Sequence, residues 1–225
     1  MTAVDKKTHL SQSNDPLRRK LLSAIGGLSL MPHLAWAEKL LPTPRQTTGP
    51  FYPEELPLDD DNDLTRVAGR PGMASGQITD LTGRVLDTNG RPIGGVRVEI
   101  WQCDANGLYH HPRDRRSRDR DENFQGHGHT VSDETGNYRF RTIRPVPYPG
   151  RTPHIHAMVL PAGTDPLVTQ IYVTDEPGNA RDFLFRSVPE ERRSLVAAEF
   201  KPDPRGTTDL VAQFDFVVGV TPGQA

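Results

Sequence analysis

From Asp80 onward, apolar residues recur at every second position in short runs. In "VRVEIWQ", Val96, Val98 and Ile100 alternate with Arg97 and Glu99. In "GNYRFRTI", Tyr138, Phe140 and Thr142 fall on one face and Arg139 and Arg141 on the other. Side chains alternate across a strand, so this period buries one face and leaves the other wet. "LTGRVLDTNGRPIGGVRVEIWQ" holds two apolar runs around Asn89-Gly90, a pair that favours a tight hairpin turn. "HIHAMVL", "LVTQIYV" and "TDLVAQFDFVVG" read as three further strands. "VPEERRSLVAAEF" is the best helical stretch, and it is short. Many short strands separated by turns predict an all-β fold, a β-sandwich with long loops and little helix. No repeat of 20–50 residues is present.

Upstream of this region the pattern changes twice. Residues 38–79 lack an apolar period and are rich in proline and acid, so they read as an extended arm before a β domain at 80–225. A linker of that composition would be disordered, but "GPFYP" carries two aromatic residues. Residues 1–37 have the order basic, apolar, small: Arg18-Arg19-Lys20, then Leu21 to Leu30, then Ala35-Trp36-Ala37. That order predicts an export signal of the twin-arginine kind, and hence a periplasmic or secreted protein. The apolar stretch is too short to span a bilayer. An amphipathic helix is the competing reading of the segment.

The chain of 225 residues is long enough for one domain with a core of its own. Its formal charge is −2, and −5 once residues 1–37 are set aside. Nothing here points to a nucleic-acid partner. The single cysteine, Cys103, excludes an intrachain disulfide and reads as a buried small apolar residue. An exported chain without disulfides needs another stabiliser, and a bound metal is one.

The histidines and tyrosines make that suggestion concrete. In "PVPYPGRTPHIHAMVL", His154 and His156 sit two apart on a strand. They share a face at roughly 6–7 Å between Cα atoms, close enough for both rings to reach one ion, with Ile155 turned to the other side. Met158 and Leu160 continue the face, so it lines a pocket rather than meeting water. His-x-His alone is a weak signal. His110, His111, His127 and His129 read as mostly solvated, with "QGHGHT" a loop. His127 and His129 share the same spacing and compete for a metal. Tyr138 and Tyr172 lie inside strands and read as core. Tyr109 and Tyr148 lie at strand ends, where sites are commonly built, and Pro147 and Pro149 fix the backbone of Tyr148.

A series of motifs then appears in order: "TGPFYP", "GRPIGGVRVEIWQCDANGLY", "DENFQG", "GNYRFRTIRPVPY" and "RTPHIH". Together they resemble the intradiol ring-cleavage dioxygenases, and most closely the protocatechuate 3,4-dioxygenase subunits. The likeness runs from about Thr47 to Val173. The link between Tyr148 and His154 is shorter here than in the iron-bearing subunit of that enzyme. The resemblance implies one non-haem Fe(III) held by Tyr109, Tyr148, His154 and His156, leaving His127 and His129 outside the set. Phenolate and imidazole suit ferric iron, and only a strongly charged ion lowers a phenol far enough to ligate as phenolate. It implies an aromatic diol and O2 as substrates, with ring opening between the hydroxylated carbons to a cis,cis-muconate-type diacid. Arg151 would stabilise charge developing on the ring, Gln170 would orient the substrate, and Gly49 and Pro50 would line the pocket. A homo-oligomer or a partner subunit is the assembly it implies.

Two other classes compete. A transthyretin-like β-sandwich binding module would share the fold and the "G-x-P-x-x-G" strand pairs, without catalysis. A zinc hydrolase would use His154 and His156 with a third ligand and a general base.

Overall fold

The alternating runs do form strands, and β1 (Ile78–Leu86) is the spine of the first sheet. The computed structural model describes residues 39–56, 59–116 and 119–219, so the expected export signal at 1–37 lies outside the described residues. On one edge β1 pairs antiparallel with β4 (Asn137–Ile143), setting Leu81 opposite Phe140. On the other it runs parallel to β9 (Leu210–Gln213) and β10 (Phe216–Val217), and β8 (Phe200–Pro202) pairs with β9 beyond. The second sheet has the order β3 (His127–Val131), β2 (Arg97–Trp101), β5 (His154–Leu160), β6 (Leu167–Val173) and β7 (Ala197–Ala198).

The inner faces of the two sheets meet in one core. Leu81, Val85, Phe140 and Ile143 from the first sheet pack with Val98, Ile100, Ile155, Ala157, Val159 and Ile171 from the second. Burying each large apolar side chain contributes about 1.5–3 kcal/mol. The all-β sandwich therefore follows from the alternation itself. Because Ile155, Ala157 and Val159 face inward, His154 and His156 project from the outer face of the second sheet.

Several local expectations are corrected. The Asn89-Gly90 turn forms, closed by Asp87 Oδ1, which accepts from Asn89 N and Arg91 N. The strands it separates do not pair, however. After an isolated bridge between Leu86 and Pro92 the chain crosses to the second sheet, where β2 begins. "QGHGHT" is not a loop: β3 pairs antiparallel with β2, Trp101 opposite His127 and Glu99 opposite His129. Its apolar alternation is hidden because Gly128 leaves the space that Leu64 fills; a Cβ there would lie 2.6 Å from Leu64 Cδ1. The final apolar run is two strands. Phe214 and Asp215 interrupt it, the Phe214 carbonyl accepting from Tyr138 Oη at 2.6 Å. "VPEERRSLVAAEF" holds a 3-10 segment, Glu190–Val196, followed by β7. The α-helix, α1 (Phe183–Ser187), lies just before it.

The described part of the arm is tied down. Its backbone N–H groups at Leu40, Thr43 and Gln46 donate to the carbonyls of Thr88, Val217 and Val168, and Leu64 N donates to Arg141 O. The arm thus crosses both sheets and arrives at the outer face that carries the histidines. Among the described residues, no helix is long and apolar enough to cross a membrane.

Candidate metal centre

On β5 the His-x-His pair is rigidly presented. His154 and His156 are each 1% exposed, and their Nε2 atoms stand 3.3 Å apart. His154 Nδ1 lies 2.7 Å from the Thr152 carbonyl, which accepts a hydrogen bond from Nδ1–H and so leaves the lone pair on Nε2. His156 stacks on Trp101, centroids 4.9 Å apart and planes 6° apart.

The two tyrosines come from loops that the sequence makes stiff. Tyr148-Pro149-Gly150-Arg151 is a tight turn, with Arg151 N donating to Tyr148 O at 2.9 Å and Gly150 at φ 83°. Tyr109 is held by Asp114, whose Oδ2 accepts its backbone N–H at 3.0 Å. The four rings close into a cycle. Centroid separations are 5.4 Å from Tyr109 to Tyr148, 5.5 Å to His154, 4.8 Å to His156 and 6.2 Å back to Tyr109.

The arm roofs this cycle. Phe51 stacks on Tyr109 at 4.5 Å. Gly49, at φ +69°, sits so close that a Cβ would lie 3.1 Å from His156 Cε1. Pro50 follows it at the exposed surface. Tyr52 packs edge-on against Trp101 and donates to Glu99 Oε2 at 2.9 Å.

Arg151 enters from the side. Nη1 reaches Tyr148 Oη and His154 Nε2, each at 3.4 Å. Nη2 donates to Gln170 Oε1 at 2.6 Å, and Nε donates to Asp182 Oδ2 at 2.7 Å. All eight expected site residues thus gather in one region. Three others were not anticipated. Tyr172 is core, as its strand position suggests, yet its hydroxyl donates to Gln170 Oε1; it sits two residues after Gln170 and so shares its face. Gln46 donates to Tyr172 Oη at 3.2 Å. Asp182 precedes "FLFRS" as a helix N-cap, a readable signal that went unread.

The remaining histidines also need correcting. His111 and His127 are buried, each 2% exposed, not solvated. Pairing with β2 carries His127 to 3.6 Å from Glu99, and Asp60 takes His129 at 3.1 Å, so each has its own carboxylate. Cys103 is buried as expected.

The electrostatics favour a cation at the centre of the cycle. Burial lowers His154 to about 3 and His156 well below the ordinary value, so both imidazoles are neutral, each with one unprotonated ring nitrogen, that of His154 facing Arg151 Nη1. Burial pushes the Tyr109 phenol well above 10 and raises Tyr148, against the lowering effect of Arg151. The Tyr109 hydroxyl is buried without a hydrogen-bond partner. Such a group needs a partner, and a phenol this deep ionises only against strong positive charge. Two phenols and two neutral imidazoles are hard and borderline donors that fit ferric iron. Among the described residues no group of three or more His, Cys, Asp or Glu side chains is gathered for a metal, so the third ligand a zinc hydrolase would need is not found there.

A family model described as Dioxygenase matches residues 47–219. A protocatechuate 3,4-dioxygenase beta chain from Burkholderia cepacia is 38% identical over 188 residues, 77% of this chain and 78% of that one. A hydroxyquinol 1,2-dioxygenase from Corynebacterium glutamicum is 34% identical over 147 residues; the match covers 57% of this chain and only 45% of the relative's length. The dioxygenase domain of a dioxygenase–carbohydrate-binding fusion protein from Streptomyces sp. SirexAA-E superposes with a TM-score of 0.63 at 29% identity, covering 80% of this chain and 99% of that one. A catechol 1,2-dioxygenase from Acinetobacter sp. ADP1 superposes with a TM-score of 0.60 at 25% identity, covering 79% of this chain and 62% of that one. These likenesses favour an enzyme over a transthyretin-like binding module. Most of the β domain, from the roofing arm to the last strand, falls within the matched span, and the chain belongs to the intradiol ring-cleavage dioxygenase family.

Proposed function

We propose that this protein is a non-haem Fe(III) dioxygenase that opens a catechol-type aromatic diol between its two hydroxylated carbons, giving a cis,cis-muconate-type diacid. The closed cycle of Tyr109, Tyr148, His154 and His156 carries the reading. These four side chains hold the iron. When bound, ferric iron supplies Lewis acidity and an acceptor for ring electron density, the chemistry that addition of O2 to a diol requires.

The chain's own groups divide the remaining work. Tyr148 is the more exposed of the two phenols, and in the phenolate form that a bound cation would impose its Oη would be placed to take one proton from the arriving diol. Arg151 holds a fixed positive charge beside Tyr148 Oη, where negative charge on the ring is stabilised. Gln170 Oε1 is occupied by Arg151 and Tyr172, so its Nε2, which makes only a 3.4 Å contact to Thr47 O, is the donor that orients the substrate. Gly49, against His156, lines the pocket, with Pro50 beside it at the rim. The roof comes from the same chain, which supports a pocket that one chain completes, within a homo-oligomer or beside a partner subunit. Export through residues 1–37 would place the enzyme in the periplasm or outside the cell.

The test is a purified, iron-loaded protein offered protocatechuate, catechol and hydroxyquinol, with oxygen uptake and product absorbance followed. One iron per chain, a visible ferric–phenolate band and uptake of one O2 per diol are expected. Protein that binds zinc in preference to iron, or that holds iron and cleaves none of the diols, refutes the reading.

A further inference from the structure

Asp182 is a fully engaged carboxylate beside Arg151. Its side chain is fully buried, and that of Arg151 is 7% exposed. Each oxygen accepts two bonds. Oδ1 takes the N–H groups of Leu184 and Phe185, starting α1. Oδ2 takes Arg151 Nε at 2.7 Å and Thr152 N at 3.0 Å.

A guanidinium has two usable edges. Here the Nε side is consumed by Asp182, so Nη1 and Nη2 point at Tyr148, His154, Gln170 and Tyr172. An alternative position is close by. A cavity of about 440 Å³ lies beside the pair, lined by Gly150, Thr152, Glu176 and Arg181 among others. Phe183, 64% exposed, sits with its ring 5.6 Å from the Arg151 guanidinium carbon. Without Asp182 the guanidinium could turn into that open space and leave the four rings. The helix-capping bonds use Oδ1 alone, so they do not account for the geometry at Oδ2.

We infer that Asp182 is a positioning residue, whose Oδ2 sets the edge of Arg151 that faces the four-ring cluster and links the start of α1 to the reacting centre. This rests on the dioxygenase reading for its effect on turnover, and on geometry alone for its effect on Arg151.

Asp182→Asn tests it, because the amide keeps the shape. Whichever way the amide turns, its NH2 group meets N–H donors, either those of α1 or those of Arg151 and Thr152. Two readouts are taken. In the metal-free, 15N-labelled protein, Arg151 Nε–H is identified by its loss in Arg151→Lys, and its exchange with solvent should be at least tenfold faster in Asp182→Asn. In the iron-loaded enzyme, kcat should fall on the order of 10²-fold, as for an angstrom-scale misplacement, with KM within about threefold and iron content unchanged. In an Arg151→Ala background, the same substitution should cost nothing further in kcat. Unchanged Arg151 exchange overturns the inference. So does an undiminished kcat, or a loss that adds in full to that of Arg151→Ala, which would mark Asp182 as a helix cap only. A wild-type enzyme that holds iron and cleaves no diol refutes ring cleavage instead, and the exchange measurement still decides the link between Asp182 and Arg151.

Discussion

His154 donates its Nδ1–H to the Thr152 carbonyl and turns Nε2 toward the other rings, while His156 is held flat against Trp101. His127 and His129 lie outside the ring cluster, beside Glu99 and Asp60, and do not stand in for either imidazole. His154→Ala and His156→Ala should therefore each lose iron, falling below about one tenth of an equivalent per chain by elemental analysis, a loss at least as large as the 10–100-fold that disturbing a ligand's outer partners costs. Iron retained near one equivalent in either variant would remove that residue from the ligand set. Arg151→Ala differs because it deletes a charge and no ligand. It should keep iron and colour, while kcat falls on the order of 10²–10³-fold. Wild-type turnover with iron retained would remove the role assigned to Arg151. At this scale the sequence spoke clearly where residues are chemically scarce. Two histidines on alternate strand positions, and a tyrosine, Tyr148, pinned between two prolines, stand out in a string of letters. Asp182 does not, because an aspartate 31 positions from Arg151 shows no partnership until the chain folds.

At the scale of elements, the arm is the part whose meaning was hardest to read. Its acid-rich, proline-rich composition resembles that of a linker, since an arm that lies across a finished sheet needs few apolar residues of its own. Tyr52 and Phe51 fix it instead, by contacts to Glu99, Trp101 and Tyr109. Burial acts to raise the Glu99 carboxyl, but the donors of His127, Arg97 and Tyr52 override it and hold it at about 2 against an ordinary 4.5. A depressed folded-state value stabilises the fold fully above pH 4.5, and this contribution is lost as pH falls through about 2. Glu99→Gln should thus flatten the fall of thermal stability over that acid range, while lowering stability at pH 7. An acid profile identical to wild type would show the carboxylate unimportant. Tyr52→Phe leaves a buried carboxylate oxygen with one donor fewer, which costs roughly 1–3 kcal/mol. It should raise protease cutting within residues 47–56 before it affects the sheets. Strands with apolar alternation were legible for a plain reason: their faces are set by neighbours two positions away. β3 was not, because the arm's Leu64 fills the space beside Gly128 and supplies from far along the chain what the strand lacks. The Asn89-Gly90 hairpin failed similarly, since the turn is local but the choice of sheet is not.

For the whole molecule, the position of the four rings separates stability from chemistry. The core lies between the sheets, and the candidate ligands lie on the outer face of the second sheet beneath the arm and the 145–153 loop. A metal there joins β5, two loops and, through Phe51 and Gly49, the arm, without being part of the core. Iron bound to the folded state alone would contribute about 4 kcal/mol at a free concentration of roughly 1,000 times its Kd. For a domain of this size each kcal/mol shifts Tm by roughly 2–4 °C, so stripping iron with a chelator should lower Tm by about 8–16 °C. The loss should be local. Far-UV circular dichroism should stay that of a β protein, and the amides of β1, β4 and the inner part of β5 should keep their protection. Exchange should quicken at 46–52 and 146–153, the segments that meet at the centre. Stripped protein that melts with the iron-loaded form would show the metal bound too weakly to matter. One that loses its sheets as well would mean that the sandwich core cannot stand alone, and that the metal is a folding nucleus.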